Sequence, residues 1–456
     1  MPEQLLRSFG RIHNAFADVH YPEGKAALQS LLQQAQAQGR RVTFRGAGLS
    51  FDAQSLNNDM VISLEKLDKI LDVDLENQQV TVQPGTRWGK IVETLLPHGL
   101  TPYVVVTTAR ATAGGTLSGN CLSRSSPLYG KEGKHVQHFE LLQTDGTFVR
   151  CSRDENPDRF HAVIGGFGYL GVVTEITYNL LEIGNRTQVA TVVDKYEGFA
   201  PLLDALRAAT HNPGEWNAVY AVAFFSGRKN KGLVLKSRYT EETRLRPLAI
   251  YRPLTALRVP VEWLIRISAV NNLVWNLFFR FSLKPGKTYV NKLPGYTFFV
   301  DGNRVSAEVA EKVGITLPTI QQTYVIPEAN VLSFLEEAAA RLRRSNLSPN
   351  LFDILYVRED DFLMSSNNGL AGYAVSLAFQ HLTMRKMGLL DAQLRDLSDL
   401  CHQLGGRVYL VKNVHASATQ LQEMYGDNMA QFRALKQQLD PDGLLRNEFF
   451  DRVFGS

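Results

Sequence analysis

The feature that most restricts this chain is the 30-residue stretch TTARATAGGTLSGNCLSRSSPLYGKEGKHV, Thr107 to Val136, dense in Gly, Ser and Thr with almost no helical or strand periodicity. In a compact domain a segment of that length is uncommon without a functional reason. A second glycine-bearing segment, Arg45-Gly46-Ala47-Gly48-Leu49-Ser50-Phe51, lies upstream, directly after a predicted strand at Arg41 to Phe44 that itself follows a helix at Lys25 to Gln38. Glycines there leave backbone N–H groups unobstructed, which suits a pyrophosphate, and Arg45 and Ser50 add polar donors. Alone, RGAGLS is also what a tight turn after a strand requires. Paired with Thr112-Ala113-Gly114-Gly115 and with Gly119-Asn120, it fits an extended dinucleotide better than a mononucleotide. The third glycine of GxGxxG and the Lys-Ser/Thr of a P-loop are missing, which disfavours a Rossmann dehydrogenase.

Around these loops the pattern is mixed. Strands are predicted at Met60 to Leu64, Gln79 to Val82 and Gly171 to Leu181, helices at Trp88 to Leu96 and Asp158 to Ile164, and a hairpin across Thr144-Asp145-Gly146. Beyond Gly184 the glycine loops stop, which suggests a second domain from about 185 to 407. Within it Leu257 to Phe281 is the most apolar stretch. It reads either as a helix buried in the domain core or as a helix lying on a membrane surface with Arg244, Arg246 and Arg252 toward anionic headgroups. The C-terminal part returns to a helix at Leu389 to Leu404, a strand at Arg407 to Lys412 and a helix at Ser417 to Leu439.

Composition excludes more than it assigns. A formal net charge of +4 over 456 residues gives no reason for a nucleic-acid groove. Three cysteines, Cys121, Cys151 and Cys401, are scattered without zinc spacing and point to a reducing, cytoplasmic compartment, with no metal site. The N-terminal MPEQLLRSFGRIHNAF lacks a signal-like apolar core and reads as a short amphipathic helix.

Taken in order, RGAGLSF, VQPGTRWGKIVETLLPHGL, ATAGG, YGKEGKHV, LLQTDGTFVRCS and FHAVIGGFGYLGVVTEITYNL resemble the FAD domain of the vanillyl-alcohol oxidase and p-cresol methylhydroxylase (PCMH) superfamily, from about Tyr21 to Ile183. The resemblance implies an α+β fold: a two-part FAD-binding domain of the PCMH type, 1–184 completed by 408–456, with an inserted α+β cap or substrate domain at 185–407. Leu49 stands where many members carry a histidine bonded to the flavin, so FAD is expected to be non-covalent. Flavin contacts carried over are Arg45, Gly46, Ala47, Gly48, Leu49, Ser50, Phe51, Thr112, Ala113, Gly114, Gly115, Gly119, Asn120, Cys121, Leu122 and Val173.

Two subfamilies are nearer. GGRVYLVKNVHAS and LDPDGLL resemble decaprenylphosphoryl-ribose 2-oxidase; SLEKLDKILDVDLENQQVTVQPGT, SGNCLSRSSPLYG and DGTFVRCSRDENPDRFHAV resemble delta-24 sterol reductase. The first implies Lys412 as the active-site lysine, Tyr409 as a flavin contact, and Gln321, Ser376 and Lys412 at the substrate. A fixed cation beside a flavin that gains negative charge on reduction agrees, while a lysine head emerging from an edge strand is the plainer alternative. The chain departs from that oxidase at Leu122, Ala374 and Ser376, where the oxidase has His, Asn and Cys. His135 and His138 read as structural, Cys121 as a packing group, and His415 as either a site contact or a structural histidine.

The expectation is an FAD-dependent oxidoreductase that oxidises a secondary alcohol of a lipid-linked sugar, with reduction of a sterol or isoprenoid double bond, or a non-catalytic flavin-fold interaction protein, as alternatives. A lipid-like substrate, a reductase or epimerase partner, a peripheral membrane surface and an acceptor other than oxygen complete it.

Overall fold

The structure, a computed structural model, describes residues 3–226, 229–248, 268–277, 279–280, 284, 286–301, 318–380 and 384–455. Its first sheet contains β1 (Gln4–Arg7), β2 (Asn14–His20), β3 (Val42–Arg45) and β4 (Met60–Ser63) in the order β1-β2-β4-β3, with α1 (Lys25–Ala37) between β2 and β3. Strand β4 runs parallel to both β2 and β3, and α1 buries Leu28, Leu32 and Ala35 in a cluster with Val42, Met60 and Ile62. The amphipathic helix expected at the N-terminus is therefore a pair of strands. Gly10 and Arg11, the latter at φ 56, turn the chain, and Ala15, Ala17 and Val19 alternate inward with period two, a pattern that pairing with β4 rewards over helix formation.

The second sheet is antiparallel and contains β5 (Ile70–Asp74), β6 (Gln79–Val82), β7 (Leu100–Pro102), β8 (Val136–Leu142), β9 (Phe148–Ser152) and β10 (Val172–Glu182). Its central path is β5-β6-β10-β8-β9. Helices α2 (Trp88–Leu95), α3 (Ala113–Leu117), α4 (Ser126–Tyr129) and α5 (Pro157–Val163) fill its connections. Thus the 30-residue stretch is not structureless: α3, α4 and a 3-10 turn at Glu132–His135 fold it in short pieces. Runs of five and four residues are too short to show a helical period in sequence.

The third sheet is eight-stranded, in the order β14-β11-β13-β12-β16-β17-β15-β18. It is made of β11 (Gln188–Glu197), β12 (Ala218–Ser226), β13 (Lys229–Thr240), β14 (Thr288–Lys292), β15 (Thr319–Pro327), β16 (Leu351–Val357), β17 (Gly372–Gln380) and β18 (Arg407–Val408), interleaved with α6 (Phe199–His211), α7 (Ser268–Leu277), α8 (Leu293–Thr297), α9 (Val331–Arg344) and α10 (Met384–Gln403). Residues 257–267, 278 and 281 of the apolar stretch, and Arg252, lie outside the described residues; within α7 Trp275 stacks on Phe224 at 5.5 Å while Leu273 and Leu277 are exposed. Among the described residues no helix is long and apolar enough to cross a membrane.

Because side chains alternate along a strand, the third sheet has two different faces. One buries Tyr324, Phe352, Ile354, Val375 and Leu377 in the main apolar cluster, which also contains Phe334 and Leu335 of α9 and Leu394 and Leu397 of α10. The other carries Tyr220, Val222, Val325, Leu355 and Ala374. Past β18, α11 (Ala418–Leu439) starts on a capping box built by Ser417 and Gln420, and the chain then returns to the first sheet before α12 (Glu448–Val453). There Val42 N–H donates to Leu444 O at 2.7 Å, and Asn447 donates to Gln54 O at 3.1 Å while accepting from Tyr169 at 2.8 Å.

Candidate active site

Strand β3 ends at Arg45, and the half-buried loop Gly46–Phe51 begins there, with Gly48 at φ +66. None of the backbone N–H groups of Gly46, Ala47, Gly48, Leu49, Ser50 or Phe51 meets an acceptor among the described residues. Consecutive unpaired donors in a partly buried loop are what an anion-binding loop presents before its ligand arrives. Arg45 does not face that opening: its guanidinium donates to Ser55 O at 3.2 Å, Ser55 Oγ at 3.1 Å and Arg7 O at 3.1 Å, bracing the loop from behind.

Thr112, which caps α3, closes on this loop from the other segment. A Cβ at Gly46 would collide with its Oγ1, and one at Gly115 would stand 3.0 Å from the same atom. That hydroxyl is buried and has no hydrogen-bond partner among the described residues. Ala113 and Gly114 N–H groups are already held by Thr86 O at 2.9 Å and Pro84 O at 2.8 Å, so the second segment contributes close approach more than donors. Two glycine segments in contact, one rich in free N–H groups and the other offering an orphan hydroxyl, fit the pyrophosphate and neighbouring atoms of FAD.

A polar stripe lies on the otherwise apolar face of the third sheet. Asp353 on β16 pairs with Ser376 on β17, which pairs with Thr323 on β15. Ser376 Oγ accepts from Gln321 Nε2 at 2.7 Å and lies 2.8 Å from Thr323 Oγ1. Burial pushes the Asp353 carboxyl up to about 7, with Arg124 and Lys412 pulling the other way. Arg124 is itself buried, donating to Tyr296 O at 2.6 Å with its guanidinium 4.3 Å from the Tyr296 ring and 4.6 Å from Phe299.

Lys412 joins the two sides. Of the expected strand Arg407–Lys412 only Arg407 and Val408 pair as a strand with β15, because the backbone turns at Leu410–Val411. Side chains take over the pairing: Gln321 N–H donates to Asn413 Oδ1 and Asn413 N–H to Gln321 O, each at 2.8 Å. The turn brings Lys412 Nζ to 4.4 Å from the Phe51 ring centroid, at the end of the glycine loop. Burial lowers the Lys412 pKa, against the pull of Cys121 and Asp353. Its ammonium is turned toward the Phe51 end of the glycine loop and not into bulk water.

Tyr409 is buried; its N–H donates to Thr323 O at 2.8 Å and its hydroxyl to Asn120 O at 3.4 Å. Cys121 is buried, and burial, then Glu132, pushes its thiol up to about 12, which suits a packing group. Gly119 lets Val411 approach, since a Cβ would lie 3.0 Å from its Cγ2. Leu122 and Leu49 are half-buried and apolar, and Val173 is buried on β10 opposite Leu141. His135 stacks on Tyr103 at 4.2 Å and His138 bonds Thr177, both away from the stripe. His415 Nδ1 lies 2.6 Å from Asp391 on α10. Among the described residues no His, Cys, Asp and Glu cluster suits a metal.

Comparison with known proteins decides the class. Residues 17–152, which contain both glycine segments, match the model of an FAD binding domain. The chain is an FAD-dependent oxidoreductase. Residues 287–453 of the oxidoreductase, which contain β15, β16, β17 and Lys412, match the model of D-arabinono-1,4-lactone oxidase. It is 21% identical to L-gulonolactone oxidase of Mus musculus over 98% of each chain. It is 30% identical to L-galactono-1,4-lactone dehydrogenase 2 of Oryza sativa subsp. japonica over 35% of this chain, which spans 27% of that protein. Against cytokinin dehydrogenase 2 of the same plant it is 31% identical over 35% of this chain and 30% of the relative. These matches support the vanillyl-alcohol oxidase and p-cresol methylhydroxylase superfamily that the motifs resemble.

Sequence reasoning missed Asp353, Thr323 and Arg124. The available signal for Asp353 was a single carboxylate inside the apolar strand LFDILYV, a charged residue in an apolar run that needs a reason.

Proposed function

We propose that the oxidoreductase oxidises a hydroxyl-bearing carbon of a small sugar lactone, with FAD held non-covalently. The observation that carries this reading is the polar stripe of Asp353, Ser376, Thr323 and Gln321 on an apolar sheet face, with Lys412 between Asp353 and the Phe51 end of the glycine loop. A compact polyhydroxylated ring can satisfy several such groups at once, whereas a sterol ring system would leave them unpaired in a desolvated site. The lactone-oxidase match over these strands, and the full-length likeness to a gulonolactone oxidase, favour a lactone over the lipid-linked sugar that the motifs first suggested.

When bound, FAD supplies a two-electron acceptor for the hydride of the oxidised carbon. The protein's own groups do the rest. The loop N–H groups of Gly46–Phe51 and the Thr112 hydroxyl hold the pyrophosphate end, and Leu49 offers no nucleophile for a covalent bond. Gln321, Thr323 and Ser376 orient ring hydroxyls. The Asp353 carboxyl, raised to about 7, takes the proton of the reacting hydroxyl, and Lys412 stabilises negative charge that develops there.

The test is anaerobic mixing of the FAD-loaded protein with a panel of aldonolactones, a lipid-linked pentose and a sterol, followed in the visible. Bleaching by a lactone alone is expected. Bleaching only by the lipid-linked sugar would replace the substrate while keeping the site. Acid precipitation should leave the flavin in the supernatant.

A further inference from the structure

One buried polar cluster plays no part in the chemistry above. Lys131, whose side chain is 1% exposed, donates to Ser365 Oγ at 2.6 Å and lies 3.4 Å from Asp360 Oδ2 and 3.5 Å from Ser366 Oγ. Asp360 Oδ2 also accepts from Ser365 Oγ at 2.8 Å and from Asn120 Nδ2 at 3.3 Å. Lys131 and Asn120 come from the glycine-rich stretch beside the second sheet; Asp360 and the two serines belong to the loop between β16 and β17 of the third. A buried ion pair is weak evidence for stability, since apolar residues of similar volume often serve as well. Its directionality is what an apolar contact lacks.

What it directs is specific. Asn120 sits at φ 42 with its side chain held at both ends, donating to Asp360 and accepting from Gly133 N–H at 3.0 Å. Its carbonyl is then presented to the Tyr409 hydroxyl at 3.4 Å, and Lys131 Nζ lies 5.5 Å from the Tyr409 ring centroid. Arg407, two residues before Tyr409, donates to Asn368 O of the same β16–β17 loop at 2.7 Å. The two strands that this loop joins carry Asp353 and Ser376. One loop therefore fixes the stripe, the Asn120–Cys121 segment and Tyr409 with respect to one another.

We propose that Lys131 and Asp360 are positioning residues that form a latch between the two halves of the site, setting the separation between the substrate-bearing strands and the flavin-bearing loop. The inference rests on the flavin-site reading above. Its physical basis is that a displacement of about 1 Å far from the reacting atoms can cost about 100-fold in rate, and that a polar network pins segments only while all its members are satisfied.

The experiment uses the full FAD-loaded chain and the variants Lys131→Met, Asp360→Asn and their double. Two readouts are followed: flavin reduction by an aldonolactone, and the dissociation rate and visible spectrum of bound FAD without substrate. Each single variant is expected to slow reduction at saturating substrate by about ten-fold or more with KM within about two-fold, to speed FAD loss and to alter the flavin band shape. The double should be no worse than the poorer single, because the pair acts as one unit. Reduction and FAD dissociation both within about two-fold of the starting protein, or losses that multiply in the double, would overturn the latch. Should Lys131→Met not fold, Ser365→Ala removes the 2.6 Å bond at little cost in volume; it should slow reduction and speed FAD loss, and no change in either refutes the proposal. If no lactone reduces the flavin of the starting protein, the substrate reading fails by itself, and FAD dissociation still decides the latch.

Discussion

The two faces of the third sheet are built from the same strands, yet they obey different rules. On β16, Ile354 is fully buried in the cluster shared with α9 and α10, while its neighbour Asp353 projects from the opposite face beside Ser376. On β15, Tyr324 points to the helices and Thr323 to the stripe. The helix-covered face is complementary to itself: its free energy comes from apolar area removed from water and from close packing. The site face instead keeps desolvated polar groups that satisfy one another only in part and hold a carboxyl near 7 where water would hold it near 4. Both faces bury apolar side chains, but the proposed chemistry is confined to one, with the alternation of a β-strand as the separator.

This contrast can be broken or sharpened by substitution, beginning with the largest effect. Lys412→Ala should reduce turnover by about 100- to 1,000-fold with FAD still bound, as loss of a fixed charge-stabilising donor does elsewhere; unchanged turnover would remove Lys412 from the mechanism. Asp353→Asn should cost about 100-fold in kcat and abolish the pH dependence of the remaining rate. In the parent enzyme kcat/KM should rise as pH climbs through about 7 and then level, because the proton acceptor is the ionised carboxyl. Stability runs the opposite way. Since folding raises this carboxyl above its unfolded value, the folded form binds the extra proton between about pH 4 and 7. Stability from this group is fully present below that window and declines as pH rises through it. Denaturation midpoints of the two proteins at pH 5 and 8 check the sign, with Asp353→Asn showing the flatter response.

Smaller effects test the edges of the contrast. Thr112→Val keeps the shape of the side chain and deletes the orphan hydroxyl, so FAD should bind roughly five-fold more weakly while the protein without FAD loses no stability. A weaker apoprotein would mean that the hydroxyl serves the fold. Ile354→Val, one residue from Asp353 but on the other face, should cost about 0.5–1.5 kcal/mol of stability and leave turnover per bound flavin unchanged. A change in turnover there would show that the faces are coupled.

How much of this was visible beforehand depended on how local the signal was. The glycine segments could be read because the need for unobstructed backbone is written in residue type: a Cβ at Gly46 would collide with Thr112, and one at Gly115 would crowd it. Helix α11 was legible through Ser417 and Gln420, and the hairpin through Gly146 at φ +84. The N-terminal strands were not, since a short run such as Asn14–His20 has no preference strong enough to resist an available partner edge. The direction of the Arg45 side chain was not legible, because the orientation of a long side chain depends on acceptors that lie elsewhere, here Ser55 and Arg7.

Sequence by itself determined the kind of cofactor and pointed to the two glycine segments, because glycine and small hydroxyl residues are properties of each position alone. Only the tertiary structure decided which polar side chains share a surface. Asp353, Ser376 and Thr323 are more than twenty residues apart in the chain and become neighbours through strand pairing, and Lys131 meets Asp360 across two sheets. The physical reason is that chemistry at a site depends on desolvation and proximity, which are properties of the packed assembly and not of any one residue.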